Sequence, residues 1–186
     1  MDIRVEILTK ELAKEYANEI RKIEKKTSQE LGLLYGSPWT KENILIDLPG
    51  KWKFSTAVFN EDNLIGYLVM SRWKNNIHGH RMAMSDSVKS MFKVKIAKML
   101  YKRTDIAAIE NNIEFLTAIV PEENKSTQKF YHRQGFELLS NDLLKWFIDG
   151  RKMSAHVRNG ILIDNLKVQG EPYRSVVFRY KYKKVD

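Results

Sequence analysis

The sequence predicts an α/β sandwich, in which a mixed, mostly antiparallel sheet carries helices on both of its faces. Strand-like runs of alternating or β-branched apolar residues recur along the chain, and stretches with apolar residues at helical spacing lie between them. Short polar turns separate three consecutive strands of the first half, whereas helices separate strands of the second half. Hairpins join antiparallel strands and helical crossings join parallel ones, so a mixed sheet is expected.

The first half of the chain predicts a strand, two helices and three further strands. Residues 3–8 alternate apolar and polar side chains, and the next segment repeats apolar residues at helical spacing. Thr40 is a suitable N-cap for a second, shorter helix, which Pro49 and Gly50 would end. The predicted elements are a strand over 3–8, helices over 10–26 and 40–48, a hairpin over 53–73 and a strand over 77–84.

The second half predicts a long helix, a buried strand and a short polar helix, followed by a less regular region. The run IEFLTAIV is nearly continuous in apolar residues, which is typical of a central strand covered on both faces. The long helix is expected to bury Phe92, Ile96, Met99, Leu100, Ile106 and Ala107. The predicted elements are helices over 90–110, 124–134 and 141–148, strands over 113–120, 136–139 and 174–182, and a hairpin around 158–164.

A single globular domain over residues 1–186 is expected from the length, with an atypical insert at about 141–172. Hydrophobic residues make up 43% of the chain and charged residues 30%, a balance typical of globular rather than disordered proteins. No apolar run is long enough to span a bilayer, and the N-terminus has no apolar signal core. We therefore expect no membrane association and a cytoplasmic location.

The absence of cysteine and the net charge limit the chemistry. Without cysteine, disulfides, thiolate zinc sites and cysteine nucleophiles are excluded. The net charge of +9 favours anionic partners, namely nucleic acid, acidic membranes or phosphorylated small molecules. Charge alone does not choose among these partners.

The most specific motif is the stretch NKSTQKFYHRQGF, residues 124–136. Helix punctuation explains part of it, because Asn124 is a good N-cap and Gly135 a good left-handed cap. Adjacent residues of a helix point about 100° apart. Phe130 can therefore be buried in the core while Tyr131 faces a cleft.

This motif, the preceding FLTAIVPEEN and the order of elements resemble the GNAT superfamily of acyl-CoA-dependent N-acetyltransferases, over roughly residues 3–139 plus the final strand. The resemblance implies a GNAT-like fold, acetyl-CoA as co-substrate, and direct acetyl transfer to a primary amine of a small molecule or peptide. It implies that Asn124 contacts the cofactor arm and that Tyr131 points at the thioester sulfur. It also implies that strand 77–84 runs parallel beside strand 115–120, and that the two splay apart to leave a cleft for pantetheine.

One segment departs from the family pattern. Family members hold the CoA pyrophosphate with a glycine-rich loop that enters the long helix, but SDSVKSMFKVKIAKML contains no glycine. One hypothesis is that lysine side chains replace part of this cradle; the others are a degenerate site or a solvated basic face. The candidate pyrophosphate contacts are the side chains of Lys89, Lys93, Lys95 and Lys98 and the backbone N–H groups of Phe92, Lys93, Val94, Lys95, Ile96 and Ala97.

Acetyl transfer to an amine requires a base for the amine and benefits from an acid for the leaving thiolate. The resemblance assigns the acid role to Tyr131, for which packing beside Phe130 is the alternative. His78 and His80 are candidate bases, because a spacing of two places both imidazoles on one face of a strand. They are equally explained as surface residues, and Asp86 is a third candidate. No third ligand accompanies the two histidines, so no metal is expected.

The expected partner is a small-molecule or peptide amine, and Tyr35, Trp39, Trp73 and Trp146 are candidates for lining its pocket. The alternative hypothesis is a catalytically degenerate GNAT-fold binding module that uses its basic helix for nucleic acid or a nucleotide. Nucleic acid is the less favoured partner, and a homodimer is left open.

Overall fold

The computed structural model describes residues 2–32, 37–168 and 171–182. Within these ranges it contains nine strands and seven helices, which confirms the predicted mixed α/β class. In chain order they are β1 Ile3–Ile7, α1 Lys10–Glu15, α2 Ala17–Leu31, α3 Lys41–Leu45, α4 Lys51–Phe54, β2 Thr56–Asn60, β3 Asn63–Trp73, β4 Asn76–Met84, α5 Ser90–Glu110, β5 Phe115–Pro121, α6 Lys125–Arg133, β6 Glu137–Leu138, α7 Asn141–Arg151, β7 Ala155–Arg158, β8 Ile161–Val168 and β9 Glu171–Lys181.

The first of two compact units comprises the described residues up to Glu114 together with Tyr182. Its strands are antiparallel in the order β1-β2-β3-β4, and short polar turns join β2, β3 and β4, as the sequence predicts. One face of these strands packs against α1, α2 and α3 through a core of Leu8, Ala13, Ile20, Ile23, Ile44, Ala57, Phe59, Leu64, Tyr67, Val69 and Ala83. On the other face, the hydroxyl of Thr56 in β2 donates to the Leu100 carbonyl of α5 at 3.4 Å.

The second unit comprises the described residues of Phe115–Lys181. Its strands are antiparallel in the order β5-β9-β8-β7, and β6 pairs with β9. The hairpin predicted around 158–164 is formed by β7 and β8, with Asn159 and Gly160 in the left-handed conformation of its turn. Helix α7 packs against this sheet through a core of Leu139, Leu144, Phe147, Ile148, Leu162 and Val177.

The buried face of α5 agrees only in part with the predicted stripe. Ile96, Leu100 and Ala107 are buried as predicted, whereas Phe92 and Ile106 are 36% and 43% exposed. The buried face also contains Ala97, Tyr101, Thr104 and Ala108, of which Thr104 is polar and lies outside an apolar pattern. The Thr104 hydroxyl donates to the Phe54 carbonyl at 3.1 Å, which removes the cost of burying it.

One predicted helix is divided in the structure. The helix predicted over 10–26 is two helices, α1 and α2, which meet at Tyr16, and α2 extends to Leu31. In the described part of the chain, no helix is both long and apolar enough to cross a membrane.

Three expectations about the arrangement stay predictions. They are the parallel pairing of strand 77–84 with strand 115–120, the cleft between these strands, and the single domain with its insert.

Candidate active site

Strand β4 contains a β-bulge at His80. Met70 pairs with Gly79, whereas the preceding residue Val69 pairs with Arg81, so His80 is the extra residue on β4. A bulge bends its strand and re-aims a side chain, and bulges are frequent next to active sites. The bulge therefore determines the direction of the His80 imidazole.

The two histidines lie together, as their spacing predicts. The centroids of the His78 and His80 rings are 5.0 Å apart, and the rings are nearly perpendicular. His78 is only 4% exposed, whereas His80 is partly exposed. His80 Nε2 lies 2.6 Å from the hydroxyl oxygen of Ser71 on β3. Of the two candidate bases, His80 is therefore the more accessible one.

Asn124 serves as the N-cap of α6. Its side-chain oxygen accepts a hydrogen bond from the Thr127 N–H at 3.1 Å, as an N-cap residue should. The Gln128 amide donates to the carbonyls of Pro121 and Glu122, at 3.1 and 2.7 Å, and ties α6 to the end of β5. The cap uses the oxygen of the Asn124 amide, so the part of that side chain suited to a ligand is its NH₂ group.

Tyr131 is buried rather than exposed at the surface of α6. Its exposure is 6%, and its ring stacks on Phe178 at 5.3 Å and contacts the edge of Phe136 at 4.8 Å. Phe130, expected to be the buried member of the pair, is only partly buried. That expectation of burial is wrong, because the aromatic cluster of β9 and Phe136 lies on the Tyr131 side of the helix.

The end of α6 matches the sequence prediction. Gly135 has a φ of 81°, the left-handed conformation that glycine adopts without a Cβ penalty. The Gly135 N–H donates to the His132 carbonyl at 3.0 Å, and the Phe136 N–H donates to the Tyr131 carbonyl at 3.1 Å. These two bonds are those of a Schellman motif, which ends the helix and directs Phe136 into the core.

The N-terminal turn of α5 is cationic. Lys89 is the N-cap residue and makes no side-chain capping bond, and the first turn contains no acidic residue. Because the helix begins at Ser90, the N–H groups from Lys93 onward belong to its internal ladder. The backbone N–H groups of Lys93, Val94, Lys95, Ile96 and Ala97 are therefore used within the helix, and the Phe92 N–H donates to the Lys89 carbonyl at 2.9 Å. Of the contacts predicted for the pyrophosphate, the lysine side chains are those that remain for an anion.

The candidate lysines of α5 form two separate sets. Residues two positions apart on a helix point about 200° apart, so Lys93 and Lys95 lie on opposite sides. Lys89 and Lys93 are four residues apart and lie on one side. The other side forms a groove with a volume of 460 Å³, lined by Met91, Val94, Lys95, Lys98, Met99 and Lys102.

Solved structures resemble this chain, although no family model and no curated protein matches it. The ribosomal-protein-S18-alanine N-acetyltransferase of Escherichia coli has a TM-score of 0.67 at 8% identity, over 97% of this chain and 94% of that one. The PaiA N-acetyltransferase of Thermoplasma acidophilum, in complex with coenzyme A, has 0.60 at 16% identity, over 98% and 100%. Ard1 from Thermoplasma volcanium has 0.69 at 12% identity, over 97% and 98%.

The chain has the GNAT acetyltransferase fold. At these identities the likeness extends to the fold, so each role within this GNAT fold depends on the chain's own residues. Within residues 2–32, 37–168 and 171–182, no three His, Asp or Glu side chains are grouped so as to hold a metal ion. The third candidate base, Asp86, is exposed and accepts a hydrogen bond from the Ser85 hydroxyl at 3.4 Å.

Sequence reasoning missed a buried polar cluster in the first unit of the GNAT fold. Glu24 of α2 is fully buried and accepts hydrogen bonds from the Trp39 N–H, at 2.8 Å, and from the Tyr67 hydroxyl. The Arg81 guanidinium lies 5.1 Å from the centre of the Trp39 ring and donates to the Ser37 carbonyl at 3.0 Å. Glu24 follows Ile20 by four residues on the apolar face of α2, and this position was the available signal.

The aromatic residues proposed for the acceptor pocket have different surroundings. Trp39 lines a cavity of 650 Å³ with Asn18, Glu19, Arg21, Lys22, Lys25, Pro38 and Thr40. Trp73 is partly buried under the Lys74 ammonium, and Trp146 of α7 is 47% exposed. Tyr35 lies outside the described residues. Trp39 thus borders a cavity, as an acceptor-pocket residue should.

Proposed function

We propose that this chain is an acetyl-CoA-dependent N-acetyltransferase that moves an acetyl group directly to a primary amine of a small molecule or peptide. The observation that carries the proposal is the histidine pair on the bulged β4 of a GNAT fold, with Ser71 against His80. A neutral imidazole is the usual base near neutral pH. The PaiA N-acetyltransferase with this fold was crystallised with coenzyme A, which supports the cofactor.

In the proposed reaction, His80 is the base. The attacking amine must lose a proton, and His80 is the more exposed of the two imidazoles. The amine nitrogen forms a bond to the acetyl carbon, the carbon–sulfur bond breaks, and the thiolate takes a proton. Tyr131 supplies that proton in the proposal, because its ring is held rigidly by Phe136 and Phe178. A fixed ring gives the hydroxyl one direction, which general acid catalysis requires.

Lys89 and Lys93 would bind the pyrophosphate of CoA. Two cations in and before the first turn of a helix oppose the helix dipole, and like charges four residues apart repel each other. Each of these conflicts costs a few tenths of a kcal/mol, and a bound diphosphate would reverse both. Lysine side chains thus lie where the family pattern has glycines, and their positive charges suit a polyanionic ligand such as a diphosphate.

A second candidate function is a binding module that takes a polyanion along α5. The groove that contains Lys95, Lys98 and Lys102 supports it, because their ammonium groups share the side of α5 away from Lys93. Such a site would bind a nucleic acid backbone through charge rather than through base edges.

Thermal stabilisation separates the two functions. The enzyme reading predicts that acetyl-CoA raises the melting temperature and that duplex DNA does not. The binding-module reading predicts stabilisation by DNA that declines steeply across a salt series, because counterion release dominates such binding. Stabilisation by DNA alone would overturn the enzyme proposal.

A further inference from the structure

A hydroxyl–imidazole pair lies on the face of the sheet that packs against α2. Ser71 follows Tyr67 and Val69 at alternate positions of β3, and it is 6% exposed. Its direct partner across the strands is His78, but the bulge brings His80 Nε2 to 2.6 Å from the Ser71 hydroxyl oxygen. Among the described residues, His80 is the hydrogen-bond partner of the Ser71 hydroxyl.

The hydrogens on the hydroxyl and on the neutral imidazole determine which of the two groups donates this hydrogen bond. A serine hydroxyl has one hydrogen to donate, and a neutral imidazole has one N–H and one nitrogen lone pair. If His80 Nε2 donated to Ser71, the buried hydroxyl hydrogen would find no acceptor among the described residues. If Ser71 donates to Nε2, the hydroxyl hydrogen and the Nε2 lone pair satisfy each other, as buried polar groups generally do.

We propose that Ser71 is a positioning residue that fixes the tautomer of His80, with Nε2 accepting from Ser71 and the proton of the neutral ring on Nδ1. The single lone pair of the ring then lies on the Ser71 side. Because the Ser71 oxygen lies on the lone-pair side of Nε2, a proton reaches the ring through Ser71: the hydroxyl hydrogen moves to Nε2 while the Ser71 oxygen takes the incoming proton. The O–H bond that breaks is replaced by the one that forms, and the new N–H of the ring donates to the Ser71 oxygen.

The consequence for catalysis rests on the proposed function, whereas the tautomer itself does not. In the proposed reaction the base needs its lone pair held in one direction. Removal of the Ser71 hydroxyl should therefore lower kcat by roughly tenfold or more, because general-base catalysis contributes at least that much. The KM for acetyl-CoA should stay unchanged, since Ser71 acts through His80 rather than on the cofactor.

Nitrogen-15 spectroscopy of the histidine rings tests the tautomer without any turnover. The full chain is labelled at histidine, and His80→Gln identifies the His80 signals. At a pH where the ring is neutral, we expect the proton of His80 on Nδ1 in the wild type and in Ser71→Thr, which keeps the hydroxyl. In Ser71→Ala we expect a shift toward Nε2, the nitrogen that an unconstrained imidazole prefers to protonate.

Ser175→Ala is the matched control, because Ser175 is also buried on a strand and its hydroxyl has no hydrogen-bond partner among the described residues. It should leave the His80 signals unchanged. A wild-type ring protonated on Nε2 overturns the inference, and this measurement holds even where Ser71→Ala does not fold. Acetylation of Ser71 by acetyl-CoA, seen as added mass, would also overturn it. A tautomer change in Ser71→Ala in a chain that never turns over supports the inference and contradicts the proposed reaction.

Discussion

Arg81 Nε lies 3.7 Å from Glu24 Oε1, and the two side chains are 12% and 0% exposed. This ion pair connects α2 with β4, one residue after the bulged His80. Glu24 also accepts a hydrogen bond from the Trp39 N–H, and Arg81 donates one to the Ser37 carbonyl. The segment before α3 is thereby fixed to the same strand that carries the candidate base.

Glu24→Gln should destabilise the protein by about 3 kcal/mol, because removing one partner of a buried pair leaves the other charge poorly compensated. The chemical denaturation midpoint measures this. Glu6→Gln is the control: Glu6 pairs with Arg4 at 2.7 Å, but both side chains are well exposed. An exposed pair contributes about 0–1 kcal/mol, so equal losses in the two variants would contradict the importance of burial.

Stability should depend on pH through Lys51. Its ammonium donates to the Ile44 and Ile46 carbonyls at 2.6 and 2.8 Å, and its burial lowers its pKa to about 8. Above pH 8 the folded state loses this proton while the unfolded state keeps it up to its ordinary pKa near 10.5. The unfolded state then binds more protons, so this contribution to stability rises with pH between these values, by up to about 3 kcal/mol.

Unfolding free energies from pH 7.5 to 10.5 test this dependence on Lys51. The Lys51→Met variant should lack the rise, because it has no group to titrate. Lys53→Met removes an exposed lysine of the same helix and should keep the wild-type profile. If wild type and Lys51→Met show parallel profiles, Lys51 does not titrate in this range.

Lys93→Ala should weaken CoA binding by about tenfold or more, because a charge-assisted hydrogen bond contributes roughly 1.5–3 kcal/mol. Lys95→Ala removes the same charge from the opposite side of α5 and should change the affinity much less. Titration calorimetry measures both. Equal losses would indicate a general charge effect, and unchanged affinity in Lys93→Ala would exclude that lysine from the pyrophosphate site.

Tyr131→Phe should lower turnover by at least about a hundredfold, since general acid–base groups contribute about 10²- to 10⁴-fold. Acetyl-CoA binding and stability should be nearly normal, because the ring keeps its contacts with Phe136 and Phe178. Steady-state kinetics and a thermal melt measure these effects. A variant with wild-type turnover would leave Tyr131 with a packing role alone.

The order of elements and the end of α6 could be predicted from sequence because local physics determines them. Alternation identified β1, and β-rich runs beside polar turns identified β2, β3 and β4. Gly135 identified the left-handed end of α6, where the structure has a Schellman motif. Thr40 caps α3 through a bond to the Asn43 N–H at 3.3 Å, as its residue type predicts.

Tertiary contacts decided what the sequence could not show. The burial of Tyr131 depends on Phe178, which is 47 positions later in the chain. The bulge at His80 depends on the register with β3, and the Glu24 cluster joins α2, β3 and β4. A charged residue on an apolar helix face signals such a cluster, but its partners cannot be read from spacing.

Release of CoA thiol, followed together with the mass of the amine product, measures directly whether the chain transfers an acetyl group to an amine. The chain has no cysteine, so any thiol that appears comes from the cofactor. We expect thiol release from acetyl-CoA that depends on an added primary amine, together with an acetylated product. In His80→Gln the turnover should fall by about a hundredfold or more. The absence of any acetylated product across a broad amine panel, with DNA rather than acetyl-CoA stabilising the chain, would contradict the proposed function.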